Sequence, residues 1–484
     1  MLPCLQFRQY FEAAVTAHRS ISMRDIHWGF LAQGLNVAAG ILLLPLVLRY
    51  LLPEEVGLWF VFIALAGLAQ LLELGFQPTI ARNVAYIYAG AQKLEGYGYI
   101  PASEDTPLNV ELLQQLFLSA RKIYFGVSVA ALVTLSGVGS AYLLSILPQT
   151  MSPSHVIPAW LIFALGYVVN FYYGYFNAFL QGRGDVTKAN IVVVVSRLAM
   201  IIFGSVLLVG GFGLTGLGIA SLASSVISRI LARRFYWRDG LKKMSAIKVA
   251  KCSEKNISLV PILWPNAKRL GWVFLGSFLI TRANILIASS FIGLKEAGSY
   301  GLTFQILLTL VGLSGVILNL SMPRLNADQV RGKQERAIAN FGRALATGWL
   351  VFFLGATALV LCGSTLLAVI GSKTHLLDTD LLLVFIVIMF LEMNHSLCAS
   401  YLTTFNEVLF VRAALVSGLA IVIFSALLVI VFHLGAWGLV ISQGVVQVAY
   451  NNWKWPLEAA RKMGCSFFHV VSSGFRGLKK FIYE

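Results

Sequence analysis

The sequence predicts an all-α polytopic membrane protein with twelve transmembrane helices, and three observations lead to this fold class. The chain of 484 residues is 58% hydrophobic and only 12% charged, whereas an ordinary soluble protein has roughly 25% charged residues. It contains twelve apolar stretches long enough to cross a bilayer core, which takes ~20 residues per helix. These stretches are continuous rather than ~10-residue alternating segments, so helices rather than a β-barrel are expected.

The twelve predicted helices follow one another with mostly short connections. They lie near residues 28–50, 56–80, 121–147, 156–180, 188–210, 213–235, 270–292, 297–321, 342–370, 380–403, 410–433 and 435–456. The polar, basic first 27 residues lack a short apolar core and a small-residue cleavage site, so we expect no cleavable signal peptide. The five cysteines have no metal-ligand or redox spacing, and no disulfide is expected.

The distribution of basic residues predicts the orientation in the membrane. With the amino terminus inside, the inner loops and tails hold 32 of the 37 Lys and Arg residues, the outer loops hold three, and two fall inside helices. Because basic loops stay cytoplasmic, both termini are expected to face the cytoplasm.

A run of basic residues contributes strongly to the net charge of +16. The run consists of Arg229, Arg233, Arg234, Arg238, Lys242, Lys243, Lys248 and Lys251. Such residues attract anionic lipid headgroups by ~1 kcal/mol each near the membrane surface. Nucleic-acid binding is the other reading of a basic patch, but the positive-inside bias already explains this charge, so no nucleic-acid partner is expected.

The predicted helices divide into two lobes of six. We predict an N-lobe over 28–235, a basic cytoplasmic linker over 236–269 and a C-lobe over 270–456, with a cytoplasmic segment over 1–27 and a basic cytoplasmic tail over 457–484. Both lobes begin and end inside, so they are expected to be parallel repeats related by a pseudo-twofold axis along the membrane normal.

Two sequence matches support the duplication. Residues 55–59 (EVGLW) resemble residues 296–300 (EAGSY) at an offset of 241. Residues 213–216 (GLTG) resemble residues 435–438 (GAWG) at an offset of 222. The long loop after the second helix accounts for the difference of 19 between the offsets.

The loops offer little room for an enzyme active site. The outer loops have about 4 to 11 residues. The inner segments contain no P-loop, no Gly-rich dinucleotide turn and no His/Glu metal helix. We therefore expect no catalytic residues and no cofactor, and a two-lobe bundle of this kind indicates transport across the membrane.

The first hairpin carries a resemblance to a known family. Residues 49–59 (RYLLPEEVGLW), followed by residues 72–78 (LELGFQP) and 81–82 (AR), resemble the first-hairpin pattern of polysaccharide (O-antigen, Wzx-type) flippases of the MOP (multidrug/oligosaccharidyl-lipid/polysaccharide) superfamily. Residues 293–300 (GLKEAGSY) resemble the second-half version. The helix count matches over the whole chain, whereas the sequence pattern covers about 60 residues. Pro78 is expected to end or bend the second helix.

The resemblance implies a function. Such proteins carry an undecaprenyl-diphosphate-linked oligosaccharide from the inner to the outer leaflet by alternating access, in the bacterial inner membrane. Membrane lipids and other polysaccharide assembly proteins are the further partners that it implies, and H⁺ or Na⁺ is the implied coupling ion. An ion-coupled exporter of small amphiphiles or drugs from the same superfamily and a non-transporting membrane scaffold are the alternatives.

Four ionisable residues lie deep in predicted helices, where such groups cost several kcal/mol unless they face a cavity or a partner. Arg282 lies ~18 Å into the seventh helix and Arg197 ~14 Å into the fifth, at ~1.5 Å per residue. Both are predicted to bind the substrate diphosphate. Glu392 and His395 share a face of the tenth helix and are candidate ion-coupling residues. The alternative reading is a structural ion pair between Glu392 and one arginine.

Glu73 and five uncharged polar residues complete the predicted substrate-binding set. Glu73 lies near the inner end of the second helix, within the family-like stretch. The others follow helical spacing: Gln33 and Asn36 on the first helix, and Asn170, Tyr173 and Asn177 as a stripe on the fourth. Hydrogen bonding between helices is the alternative role for these side chains.

Overall fold

The computed structural model is helical along the chain that it describes, residues 23–96, 106, 108–238, 258–330, 332–405 and 410–483. These residues form nineteen α-helices and no strand. Every one of the twelve predicted stretches falls on a helix or on a helix with one interruption. Ten spans among the described residues are long and apolar enough to cross a membrane. The all-α, multi-pass class is therefore confirmed, while the sidedness of the termini stays a prediction.

Nine helices precede the basic linker. They are α1 (Met23–Tyr50), α2 (Pro53–Gln70), α3 (Phe76–Tyr88), α4 (Val110–Val133), α5 (Ser140–Ile146), α6 (Pro153–Tyr172), α7 (Tyr175–Gly182), α8 (Val186–Val209) and α9 (Gly213–Arg238). A 3₁₀ turn, Leu71–Glu73, follows α2, and a π-helical segment, Thr134–Gly139, joins α4 to α5.

Ten helices follow the linker. They are α10 (Val260–Thr281), α11 (Ala283–Phe291), α12 (Leu294–Ser314), α13 (Val316–Val330), α14 (Gln334–Ile370), α15 (Thr379–Leu402), α16 (Val411–Ile430), α17 (Gly435–Ala449), α18 (Asn451–Lys462) and α19 (Phe467–Tyr483). Most of the predicted linker, residues 239–257, lies outside the described part of the chain.

Large apolar side chains remain exposed along the spans, as expected of helices that face lipid. On α14, Leu354 is 71% exposed, Leu361 73% and Val369 79%. These residues recur at intervals of seven and eight, which places them on one side of the helix. A continuous apolar face of this length is unfavourable in water and matches a hydrocarbon surround.

The helices group into two compact units. The described residues of Met1–Ala39 and Leu65–Phe274 form the first unit, and those of Gly40–Ala64 and Leu275–Glu484 form the second. The boundaries fall inside α1, α2 and α10, whereas the predicted lobes follow the order of the chain.

The two repeat-like motifs pack against each other within the second unit. A Cβ atom on Gly57 of α2 would overlap the Leu294 carbonyl oxygen at the start of α12. A Cβ atom on Gly298 of α12 would lie 2.9 Å from the Pro53 carbonyl oxygen. Each glycine therefore lets the other helix approach its backbone. This explains why a glycine stands at the same place in both motifs.

An interruption separates α2 from α3 in the first unit. Leu74 and Gly75 adopt positive φ angles of 49° and 77°, and a Cβ atom on Gly75 would lie 2.5 Å from the Leu270 Cβ atom of α10. The close approach of α10 thus requires glycine at this turn. The prediction that Pro78 ends or bends the helix was wrong in position, because Pro78 lies in the first turn of α3, where its missing N–H costs little.

Candidate functional site

Glu73 is held at the interruption of the second helix by a tyrosine from α4. The Tyr124 hydroxyl donates a hydrogen bond of 2.6 Å to Glu73 Oε1. The Tyr124 side chain is fully buried, and Ser128 Oγ donates to its backbone carbonyl oxygen at 2.6 Å. Glu73 therefore accepts a hydrogen bond from a rigid donor rather than lying free at the membrane surface.

An arginine from α9 completes this group. Arg229 Nε donates to Asn170 Oδ1 at 2.7 Å, and Arg229 Nη2 donates to the same oxygen. The charges of Arg229 and Glu73 interact electrostatically. Glu73, Tyr124, Asn170 and Arg229, which we call the Glu73–Arg229 cluster, join four elements of the first unit.

Arg229 also has donor capacity that the cluster does not use. Its Nη1 atom is buried and makes no hydrogen bond to any residue in the described part of the chain. A guanidinium group carries five N–H donors in a planar fork that suits carboxylate and phosphate oxygens. Arg229 Nη1 can therefore donate a hydrogen bond to a further anionic oxygen.

The break in the fourth predicted helix makes room for the cluster. The helix is interrupted at Tyr173 and Gly174, between α6 and α7, and a Cβ atom on Gly174 would lie 2.8 Å from Tyr124 Cε1. Glycine at this position lets the Tyr124 ring pass the backbone. Asn170 lies just before the break, in the last turn of α6.

Sequence reasoning missed two members of the Glu73–Arg229 cluster. Arg229 was assigned to the basic inner loop, but α9 continues nine residues beyond it to Arg238. A signal was present, because Arg229 also falls inside the predicted helix 213–235. Tyr124 offered no comparable signal, since a single tyrosine near a helix end is common at membrane interfaces.

The second unit contains a different acidic cluster on α15. His395 Nε2 lies 3.7 Å from Glu392 Oε1, and His395 Nδ1 forms a 2.9 Å hydrogen bond with Asn452 Oδ1 of α18. Glu392 Oε2 and Asn452 Nδ2 are buried and form no hydrogen bond with the described residues. We call these three residues the Glu392–His395 cluster. The structure thus brings the two predicted ion-coupling residues together.

The two predicted membrane arginines are not members of these clusters. Arg282 is the residue between α10 and α11, with a backbone φ of −126°, and its side chain is half-buried in the second unit. Arg197 lies on α8 of the first unit with an exposed side chain. Both make interactions with other groups, so neither is an isolated charge.

The predicted polar stripe on the fourth helix is divided by the helix break. Asn170 is on α6, Tyr173 lies in the interruption, and Asn177 is on α7. Tyr173 stacks on Phe176 with ring centroids 6.3 Å apart, and Asn177 is buried. The side chains of Gln33 and Asn36 lie outside the described part of the structure.

Within the described residues no group of three or more His, Cys, Asp or Glu side chains is arranged to hold a metal ion.

Comparison with known proteins identifies the fold. No family model and no curated protein sequence matches the chain. Solved structures do match. An inward-facing multidrug resistance MATE family transporter of the MOP superfamily superposes with a TM-score of 0.61 at 14% identity, covering 94% of this chain and 98% of that chain. The chain has the fold of MATE transporters.

Two further MATE structures agree. The multidrug transporter DinF-BH, solved as a complex, gives a TM-score of 0.58 at 15% identity, over 93% of this chain and 98% of the other. A MATE protein in the bent conformation gives 0.55 at 15% identity, over 93% and 95%. The match spans nearly the whole length of both chains, so the MATE-like fold includes both units of this protein. The Wzx-type subtype is a finer distinction than these matches make.

Proposed function

We propose that this protein is a transporter that moves an undecaprenyl-diphosphate-linked oligosaccharide from the inner to the outer leaflet of the bacterial inner membrane by alternating access. The protein supplies a polar, cationic path for the sugar and the diphosphate, while the lipid tail stays in the bilayer. It has no catalytic step. Its other contacts are membrane lipids and, in the cell, other polysaccharide assembly proteins.

The fold supports the transport part of the proposal. The structural neighbours are transporters whose solved structures include inward-facing and outward-facing conformations. The same fold in this chain, with breaks at Leu74–Gly75, at Arg282 and at Gly174, offers points at which helix halves can change direction.

The observation that carries the substrate class is Arg229. It is a membrane-helix arginine whose buried Nη1 has no hydrogen-bond acceptor among the described residues. A phosphate oxygen is an acceptor that suits a guanidinium group, in charge-assisted hydrogen bonds. Arg229 thereby joins Arg282 and Arg197 as a proposed phosphate contact.

The sugar contacts are proposed on the polar residues of two helices. Asn170 binds Arg229 directly, and Tyr173 and Asn177 follow it across the break between α6 and α7. Amide and phenol groups of this kind can exchange hydrogen bonds with sugar hydroxyls. Gln33 and Asn36 of α1 are proposed to contribute in the same way.

Ion coupling is proposed for the Glu392–His395 cluster. Its carboxylate is partly unsatisfied and its histidine lies 3.7 Å away, so gain of a proton or of Na⁺ changes the local charge balance directly. Glu73, in contrast, is proposed to hold Arg229 when the substrate is absent.

Export of small amphiphiles or drugs is the second candidate, and the comparisons favour it as strongly. Neighbouring structures are multidrug transporters. The two candidates differ in the charge that the transport path must accept. A cationic path favours a diphosphate, whereas a cationic drug requires an acidic one.

The deciding experiment measures leaflet translocation of a purified lipid-diphosphate oligosaccharide by the protein in liposomes, with and without pH and Na⁺ gradients. A cationic dye is assayed in parallel. We expect gradient-dependent translocation of the glycolipid, with strong losses in Arg229→Gln and Arg282→Ala. Arg238→Gln, at the exposed end of α9, is the matched control. Dye transport without glycolipid transport would favour the drug exporter, and undiminished glycolipid transport by both variants would remove the phosphate assignment.

A further inference from the structure

The last helix, α19, is docked on α14 through glycines. A Cβ atom on Gly474 would overlap the Gly342 carbonyl oxygen. A Cβ atom on Gly342 would in turn lie 2.5 Å from the Val470 carbonyl oxygen and 2.9 Å from Ser473 Oγ. Two helix backbones in contact at paired glycines have a fixed crossing point. The α19 helix is therefore closely packed within the second unit.

The remaining surface of α19 is amphipathic. Phe468 is 81% exposed and Phe475 is 40% exposed. These two residues are seven positions apart and so lie on the same strip of the helix, two turns apart. His469 and Arg476 follow them by one position each and are also exposed. An apolar strip thus runs beside a polar, basic strip that contains His469 and Arg476. Further along the sequence, Lys479 and Lys480 follow Arg476.

The position of the docking point along α14 gives its depth in a bilayer. The α14 helix has 37 residues, or ~55 Å at ~1.5 Å per residue. A bilayer with its headgroups is ~40–45 Å thick. With the Ile370 end of α14 placed at one membrane surface, Gly342 lies ~42 Å along the helix, at about the headgroup level of the other surface. The ring centroids of Phe475 and Trp349 are 6.4 Å apart. Tryptophan is typical of the headgroup boundary.

We propose that α19 is a membrane-surface helix that binds anionic phospholipids. Phe468 and Phe475 insert at the boundary of the acyl chains, and Arg476 contacts headgroup phosphates. The charge of this strip is complementary to an anionic leaflet, and the apolar strip beside it matches the acyl boundary. A second copy of the chain would cover the apolar strip but would leave the basic one without a partner.

The test uses the full-length protein in nanodiscs of phosphatidylcholine with or without phosphatidylglycerol. A photo-crosslinking phenylalanine analogue replaces Phe468 in one variant and His469 in a second. Because Phe468 is so exposed, this replacement preserves the packing of α19. After illumination, intact mass spectrometry counts adducts with lipid and with protein. We expect several-fold more lipid adducts from position 468 than from position 469.

A second arm tests the basic strip. In mixed nanodiscs we expect phosphatidylglycerol to be enriched several-fold among the adducts at position 468, and Arg476→Gln to reduce that enrichment. Equal lipid adducts at positions 468 and 469, or adducts mainly with a second protein chain, would overturn the proposal. Unchanged enrichment in Arg476→Gln would overturn the anionic preference. None of these results depends on what the transporter carries.

Discussion

The two acidic clusters in the membrane helices differ in how their carboxylates are satisfied. In the first unit, Glu73 accepts a 2.6 Å hydrogen bond from Tyr124 and interacts electrostatically with Arg229. In the second unit, Glu392 has a histidine at 3.7 Å and a buried Oε2 with no hydrogen bond to the described residues. One carboxylate has an arginine as its electrostatic partner, whereas the other has a histidine.

This difference matches the two separate roles proposed for the clusters. Arginine and tyrosine side chains ordinarily do not titrate near neutral pH, so the charge that they present to Glu73 does not vary there. Such a cluster suits a fixed electrostatic role, such as holding a cationic phosphate contact in place. A carboxylate paired with histidine alone is sensitive to protons. If both clusters had the same role, substitutions in them would have similar effects.

The largest effect is expected for Arg229→Met. The substitution keeps most of the side-chain volume but leaves Asn170 Oδ1 without its donors and Glu73 without its positive partner. Breaking a buried pair by removing one partner costs about 3 kcal/mol or more. We expect a clear fall in the temperature of unfolding, measured by intrinsic fluorescence in detergent.

A double variant provides the control for this prediction. Arg229→Met combined with Glu73→Gln removes both charges, so it should recover a large part of the stability that the single variant loses. If the single and double variants unfold at the same temperature, the interaction between Glu73 and Arg229 does not matter for stability. The charge interaction of the Glu73–Arg229 cluster would then contribute as little to stability as we expect of the Glu392–His395 cluster.

Tyr124→Phe should have the next largest effect. It removes the hydroxyl that donates to Glu73 but retains the ring that packs beside Gly174. A hydrogen bond to a charged group contributes about 1.5–3 kcal/mol, so we expect a loss in that range by the same measurement. Tyr175→Phe is a matched control on α7, since the Tyr175 ring also packs against Tyr124. A loss as large in Tyr175→Phe would show that the effect does not depend on the hydrogen bond to Glu73, because both variants keep their rings.

The sequence predicted the fold better than the clusters because the two depend on different signals. Long apolar runs between short loops predict where helices lie, and α8 and α16 coincide closely with their predicted ranges. Breaks within a helix leave a weaker signal in the sequence. The break at Gly75 arises because α10 packs against it, and the residues that force it are almost 200 positions away. A local reading therefore placed the bend at Pro78 instead.

The same limit applies to the polar residues. The pair Glu392 and His395 could be predicted because helical spacing alone places them together. Glu73 and Asn170 were predicted separately, and only the tertiary structure shows that Arg229 and Tyr124 connect them. The count of basic residues also led to the wrong placement of Arg229 in a loop, because basic residues near a helix end are ordinarily assigned to the cytoplasmic loop.

Glu392→Gln is expected to have a small effect on stability. One of its carboxylate oxygens has no hydrogen bond within the described residues, so the charge that the substitution removes is poorly compensated. Neutralising such a group is often neutral or stabilising, and we expect unfolding within about 1 kcal/mol of the wild type. Transport coupled to a pH gradient should nevertheless fall strongly. A stability loss as large as that of Arg229→Met would mean that the two clusters are equivalent.

The smallest effect is expected at an ion pair outside the candidate spans. Lys454 Nζ donates to Glu458 Oε2 at 3.0 Å, one turn apart on α18, and this hydrogen bond lowers the pKa of Glu458. A carboxyl group with a lowered pKa in the folded state stabilises the protein above its unfolded pKa, and this contribution disappears as the pH falls through the folded value. Pairs of this type contribute about 0.3–0.5 kcal/mol. Lys454→Ala should therefore lower stability slightly at pH ~7, and the difference from the wild type should disappear as the pH falls through the lowered pKa of Glu458. A loss as large as that of Arg229→Met would mean that this half-buried pair on α18 matters as much for stability as the Glu73–Arg229 cluster.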